Sequence, residues 1–118
     1  MAALTVYHNP ACSTSKQVLT TLDELGAEHD VVQYLKTPPD RATLTHLLEI
    51  LEDPPADLVR KDPYFKQLGL EADDYTTPDA VIDLLLEHPR LMQRPVLVKG
   101  DRAIIGRPKD RVPAFVDS

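Results

Sequence analysis

A chain of 118 residues, 42% hydrophobic and 27% charged, is long enough for one buried core and too short for two, so we expect a single domain over residues 1–118. Nineteen acidic against thirteen basic residues give a net charge of −6, which argues against non-specific attraction to nucleic acid or to an anionic membrane surface. No apolar run approaches the ~20 residues of a bilayer span, a lone cysteine excludes an internal disulfide, and the four scattered histidines lack partners at metal-ligand spacing, so no metal is expected.

Met1-Ala2-Ala3-Leu4 lacks the basic and long apolar parts of a signal peptide, and with one cysteine this leads us to expect a reducing cytoplasm. Leu4-Thr5-Val6-Tyr7 predicts a β-strand, Asn9-Pro10 a turn, and Val18, Leu19, Leu22 and Leu25 a helix that Gly26 stops. A second strand is expected over Asp30–Leu35, which completes a right-handed βαβ unit. Lys36-Thr37-Pro38-Pro39-Asp40 breaks the chain, and Leu44, Leu47, Leu48 and Leu51 mark an amphipathic helix with Asp40 as its N-cap. Pro54-Pro55 ends that helix. Ala56 to Val59 then reads as a short helical turn, and Asp62-Pro63 opens another through Tyr64, Phe65 and Leu68 to Gly69. Thr77-Pro78-Asp79 starts a helix that runs to His88 and stops at Pro89. Pro95–Lys99 and Arg102–Ile105 flank Gly100-Asp101 as a tight hairpin, and Pro108 begins a last short helix through Val112 and Phe115. The order β-α-β, helical block, β-hairpin, helix is an α/β, thioredoxin-like order, with the block from about Asp40 to Tyr75 as an insertion.

Cys12 falls at the junction of the first strand and the first helix. There the first N–H groups of the helix lack internal partners and the macrodipole is positive, which favours a thiolate and attracts an oxyanion. Cys12 is therefore a candidate nucleophile. Arg94 precedes Pro95, Arg107 follows Gly106, and Arg60 with Lys61 lies in the helical block. Three guanidiniums around one thiolate would form an oxyanion pocket, because a planar fork donates paired hydrogen bonds and keeps its charge. Spacing alone leaves open whether they converge.

Tyr7-His8-Asn9-Pro10-Ala11-Cys12-Ser13-Thr14-Ser15-Lys16, Tyr34-Leu35-Lys36-Thr37-Pro38-Pro39, Leu58-Val59-Arg60-Lys61, the stretch from Leu84 through His88-Pro89 to Arg94-Pro95, and Gly106-Arg107-Pro108 follow one another in the order of the glutaredoxin-coupled arsenate reductases, which the chain resembles from about Thr5 to Val116. The resemblance implies a thioredoxin-like fold with a helical insertion, Cys12 as nucleophile, and Arg60, Arg94 and Arg107 as ligands of the arsenic oxyanion. It also implies that His8 and Ser15 tune the cysteine, through an imidazolium beside the thiol and a hydroxyl one turn along the helix, and that Pro95 is a cis-proline facing it. The reaction implied is attack of the Cys12 thiolate on arsenic(V), giving a covalent adduct. With no second cysteine to resolve it, the electrons must come from external thiols, which in that family are glutathione, as co-substrate, and a glutaredoxin. No bound cofactor is expected.

Ser13 and Lys16 stand where the family often has Gly and Arg, and neither change removes a catalytic atom. The phosphatase-like class of arsenate reductases needs an Arg six residues past the cysteine, where this chain has Val18. Two rivals share the fold: a redox-responsive regulator that binds RNA polymerase, and a general glutathione-dependent thiol reductase. The regulators usually sense through Cys-x-x-Cys, and Ser15 occupies the second position.

Overall fold

The computed structural model describes residues 4–117; the reading of Met1 to Ala3 as lacking a leader lies outside them. Four strands, β1 (Leu4–His8), β2 (His29–Gln33), β3 (Val96–Lys99) and β4 (Arg102–Ile105), form one sheet in the order β2-β1-β3-β4. β1 pairs parallel with β2 and antiparallel with β3, so the hairpin extends the sheet beside the first strand, a thioredoxin-like arrangement. The helices are α1 (Ser13–Glu24), α2 (Arg41–Ile50), α3 (Pro63–Gln67), α4 (Pro78–Glu87) and α5 (Arg111–Asp117).

Period-two alternation divides the core between the two faces of the sheet. Val6, Leu97 and Ile104 stand side by side in register and pack, with Leu4, against Val18 and Leu22 of α1 and Val112 and Phe115 of α5. Their neighbours Tyr7, Val96 and Ile105 face the other way, against Leu44 and Leu47 of α2, Phe65 of α3, and Val81, Ile82, Leu84 and Leu85 of α4. Each fully buried Leu or Val contributes about 1.5–3 kcal/mol, and both layers are built from such residues.

Helix starts follow the expected chemistry. The side chains of Asp40, Asp62 and Thr77 accept from the N–H groups of Thr43, Phe65 and Ala80. Pro63 and Pro78 follow two of these caps at the first helical position, where a missing N–H costs nothing. The hairpin turns on Gly100 with φ +59°, a left-handed conformation that side chains disfavour.

Differences from the expected boundaries are local. β2 ends at Gln33 rather than Leu35, because the N–H groups of Lys36 and Thr37 both fold back onto the Gln33 carbonyl and turn Tyr34 into the core. After α4, Pro89–Leu91 makes a 3₁₀ turn instead of a plain stop, a further 3₁₀ turn at Pro55–Leu58 replaces the one expected from Ala56, and Ala72–Asp74 forms a third that the sequence did not suggest. The helical block is stitched to the segment before β3: Arg60 N–H donates to the Leu91 carbonyl (2.7 Å) and Gln93 N–H to the Leu58 carbonyl (2.7 Å). Thus residues far apart in sequence meet near the end of β1.

Candidate active site

β1 ends at His8, and the loop to α1 is closed by its own polar atoms. Asn9 Oδ1 accepts the Ala11 N–H (2.9 Å), and the Asn9 carbonyl accepts the Cys12 N–H (3.0 Å). Cys12 is the N-cap residue of α1, with extended backbone, and its carbonyl takes the first helical bond from Lys16 N–H. It is 8% exposed.

Arg107 Nη2 donates to Cys12 Sγ at 3.3 Å. Arg107 is aimed by its backbone surroundings: its Nε donates to the Arg94 carbonyl (2.7 Å), and the preceding Gly106 N–H donates to the Pro95 carbonyl (2.8 Å). Gly106 is required by proximity. A Cβ there would lie 2.9 Å from both Pro95 Cγ and Leu97 Cδ1. The Arg94–Pro95 bond is cis, as expected for Pro95, and so is Arg107–Pro108, which the sequence did not reveal.

Burial pushes the Cys12 thiol up, but the Ser15 backbone N–H and the guanidiniums of Arg94 and Arg107 outweigh it, and the net effect holds the thiol below its ordinary range. The cluster therefore favours thiolate. Arg94 is the less satisfied of the two cations, since its buried Nε has no hydrogen-bond partner among the described residues. A buried unfilled donor beside a thiolate is a place for an acceptor from outside the chain.

Arg60 is placed differently. Its Nε donates to Asp62 Oδ2 (3.1 Å) and its Nη1 approaches Gln93 Oε1 (3.4 Å). Gln93 Oε1 also accepts the Arg94 N–H (3.3 Å), so one side chain spans both arginines. Of the three expected ligands, the structure brings Arg94 and Arg107 to Cys12 and leaves Arg60 one step back, on Asp62.

His8 and Ser15 pair with one another next to the cysteine. His8 Nδ1 lies 2.6 Å from Ser15 Oγ, which in turn accepts the Asn9 N–H (3.2 Å). Burial, helped by the charge of Lys16, lowers the His8 pKa, which disfavours an imidazolium at this position. Ser15 is fully buried on the stripe of Val18 and Leu22, which turns its hydroxyl towards His8, and it is its backbone N–H that acts on Cys12. Together, His8 and Ser15 brace the loop.

Four residues near the site were given no site role from the sequence: Asn9, Tyr34, Asp62 and Gln93. Tyr34 is fully buried and its hydroxyl donates to the Met92 carbonyl (3.3 Å), in reach of Asn9 and Arg94. Asp62 was read as a helix start, and the signal for its further role is that a capping carboxylate uses one oxygen on the helix and leaves the second for a nearby cation. No group of three or more His, Cys, Asp or Glu able to hold a metal occurs among the described residues. No helix among them is long and apolar enough to cross a membrane.

Residues 7–115 match the model of the ArsC family. The uncharacterized protein YfgD of Escherichia coli K12 is 45% identical over 94% of this chain and 94% of its own length. The arsenate reductase of the same strain is 40% identical over 95% of this chain and 79% of its own. In three dimensions, the arsenate reductase from Vibrio cholerae superposes with a TM-score of 0.82 at 33% identity, covering 94% of this chain and 95% of that one.

Proposed function

The chain belongs to the ArsC family, and from that premise we propose that it reduces arsenate to arsenite at Cys12, with external thiols supplying the electrons. The observation that carries this reading is the Arg107 guanidinium on Cys12 Sγ beside an Arg94 whose buried Nε has no acceptor among the described residues. A thiolate with fixed cations around it binds a tetrahedral oxyanion and attacks its centre.

Arsenate enters as an oxyanion and fills the donors of Arg94 and Arg107, while Arg60 supplies a third fork once it leaves Asp62. The Cys12 thiolate forms a bond to arsenic(V), and hydroxide or water departs. The guanidiniums offset the charge of the adduct, the kind of electrostatic help worth about 10²- to 10³-fold per donor in other enzymes. Arsenic then takes two electrons from a pair of external thiols, which leave joined as a disulfide while their two protons carry one arsenic-bound oxygen away as water. Water cleaves the sulfur–arsenic bond and frees arsenite and the Cys12 thiol. The sole cysteine of the chain cannot supply those electrons by an internal disulfide. Glutathione with a glutaredoxin is the donor system we assign, in the reducing cytoplasm where both abound, with no resident cofactor.

The test is arsenite formation by purified protein with arsenate, glutathione and glutaredoxin. Wild type is expected to turn over and Cys12→Ser to be silent. Activity that survives Cys12→Ser overturns the reading, and inactive wild type that binds RNA polymerase supports the regulator of the same fold.

A further inference from the structure

Arg107 reaches the sulfur from a short turn, Gly106–Arg107, between β4 and the cis Arg107–Pro108 bond. One side of that turn rests on the carbonyls of Pro95 and Arg94. The other side is gripped by two charged residues from separate parts of the chain. Arg111, in the first turn of α5, donates from Nη1 to the carbonyls of Ile105 (2.9 Å) and Arg107 (3.2 Å). Its Nη2 pairs with Asp53 Oδ1 at 3.0 Å, and Asp53 Oδ2 accepts the Ile105 N–H at 2.9 Å. Asp53 belongs to the segment between α2 and the 3₁₀ turn at Pro55–Leu58, so it comes from the helical block.

We infer that Asp53 and Arg111 are positioning residues that hold the Gly106–Arg107 turn so that the Arg107 guanidinium sits on the Cys12 sulfur. The two side chains bind the backbone on both sides of Gly106, at Ile105 N–H, Ile105 C=O and Arg107 C=O, which fixes the path of the chain into Arg107. They are partly shielded, with side-chain exposures of 15% for Asp53 and 32% for Arg111. A bidentate guanidinium with defined acceptors holds geometry better than a lysine can, since an ammonium is a point charge on a flexible stem. Both residues also line a cavity of about 310 Å³ that Arg107, Gln93 and Lys61 share, so the clamp forms part of the wall next to the site. The function is positional, since neither residue touches Cys12.

The inference rests on the reading of Cys12 as an activated thiolate, and its test uses no arsenate, so failure of the arsenate reaction leaves it intact and its own failure leaves that reaction open. The experiment is the pH dependence of Cys12 alkylation by iodoacetamide in wild type, Arg111→Lys, Asp53→Asn, Arg107→Ala and the double variant Arg107→Ala with Arg111→Lys, each checked for a cooperative thermal melt. Arg111→Lys and Asp53→Asn are expected to raise the alkylation midpoint in the direction of Arg107→Ala. At a pH below the midpoint, a rise of half a pKa unit slows alkylation about threefold through the thiolate fraction. In the Arg107→Ala background, Arg111→Lys is expected to add nothing, because the interaction it serves is already gone. Wild-type midpoints in folded Arg111→Lys and Asp53→Asn overturn the inference, as does the same shift with and without Arg107. Where Arg111→Lys fails to melt cooperatively, Asp53→Asn carries the comparison, since it keeps the shape of Asp53 and an acceptor for Ile105 N–H.

Discussion

The hairpin end and the helical block each carry a guanidinium towards Cys12, and they hold it in opposite ways. At the hairpin end, Arg107 is fixed by carbonyls of Arg94 and by the turn around Gly106, and its Nη2 already lies on the sulfur. In the helical block, Arg60 is fixed by a carboxylate of its own segment, Asp62, and by the Gln93 amide. The Arg60 backbone is as firmly anchored as that of the turn, through its N–H on the Leu91 carbonyl. Only the destination of the side chain differs. Despite partial burial, Phe65 N–H and Arg60 hold the Asp62 carboxyl below its ordinary range, so it competes with any incoming anion for Arg60. The hairpin end thus acts on the sulfur together with the Ser15 N–H of α1, whereas the guanidinium of the block is engaged within the block and with Gln93.

Cys12→Ser marks the upper limit of what any change at this site can do: arsenite formation and iodoacetamide labelling are both expected to vanish. Arg107→Ala comes next. Loss of one fixed donor is expected to lower kcat/KM about 10²- to 10³-fold and to raise the alkylation midpoint towards that of a free thiol. Arg60→Ala separates the two regions most sharply: a higher KM for arsenate with an unchanged alkylation midpoint fits the division, and a midpoint raised as far as in Arg107→Ala breaks it. Asp62→Asn is expected to act in the opposite sense on KM by releasing Arg60, with the α3 cap kept, because Asn accepts the Phe65 N–H as Asp does; urea unfolding is expected to show little change.

Two smaller effects concern pH and the loop. Because folding lowers the Cys12 pKa, the thiolate contributes stability that is complete above the unfolded pKa and is lost as pH falls through the folded one. The unfolding free energy of wild type relative to Cys12→Ser is therefore expected to rise with pH across that window. His8 acts at lower pH: its folded pKa is depressed, so the unfolded chain binds a proton the folded ring refuses, and stability falls as pH drops below about 6.5. Ser15→Ala leaves His8 Nδ1 and Asn9 N–H without their shared partner, an expected loss of about 1–3 kcal/mol, with the alkylation midpoint nearly unmoved because the Ser15 backbone N–H remains.

Much of this was legible in the sequence, for local reasons. Apolar spacing at Val18 and Leu22, capping side chains at Asp40, Asp62 and Thr77, and the Gly100-Asp101 turn each encode their element within a few residues. Cys12 was legible for the same reason, since a strand-to-helix junction is a local property. What stayed hidden depends on contacts across the chain. The commitment of Arg60 to Asp62 is a choice between partners that spacing cannot make, and the lowered pKa of His8 follows from its burial in the folded loop. Tyr34 reads as the end of a strand until the Gln33 carbonyl turns it inward to the Met92 carbonyl.

The most direct measurement of the central claim, that the Cys12 thiolate and its two fixed arginines receive an arsenic oxyanion, is the rate of iodoacetamide alkylation of Cys12 against arsenate concentration at fixed pH. Arsenate is expected to protect wild type in a saturable way, and to protect Arg107→Ala only at concentrations at least about tenfold higher, the ratio that corresponds to 1.4 kcal/mol of lost binding. Alkylation of wild type that is unaffected by arsenate at any concentration would contradict the account.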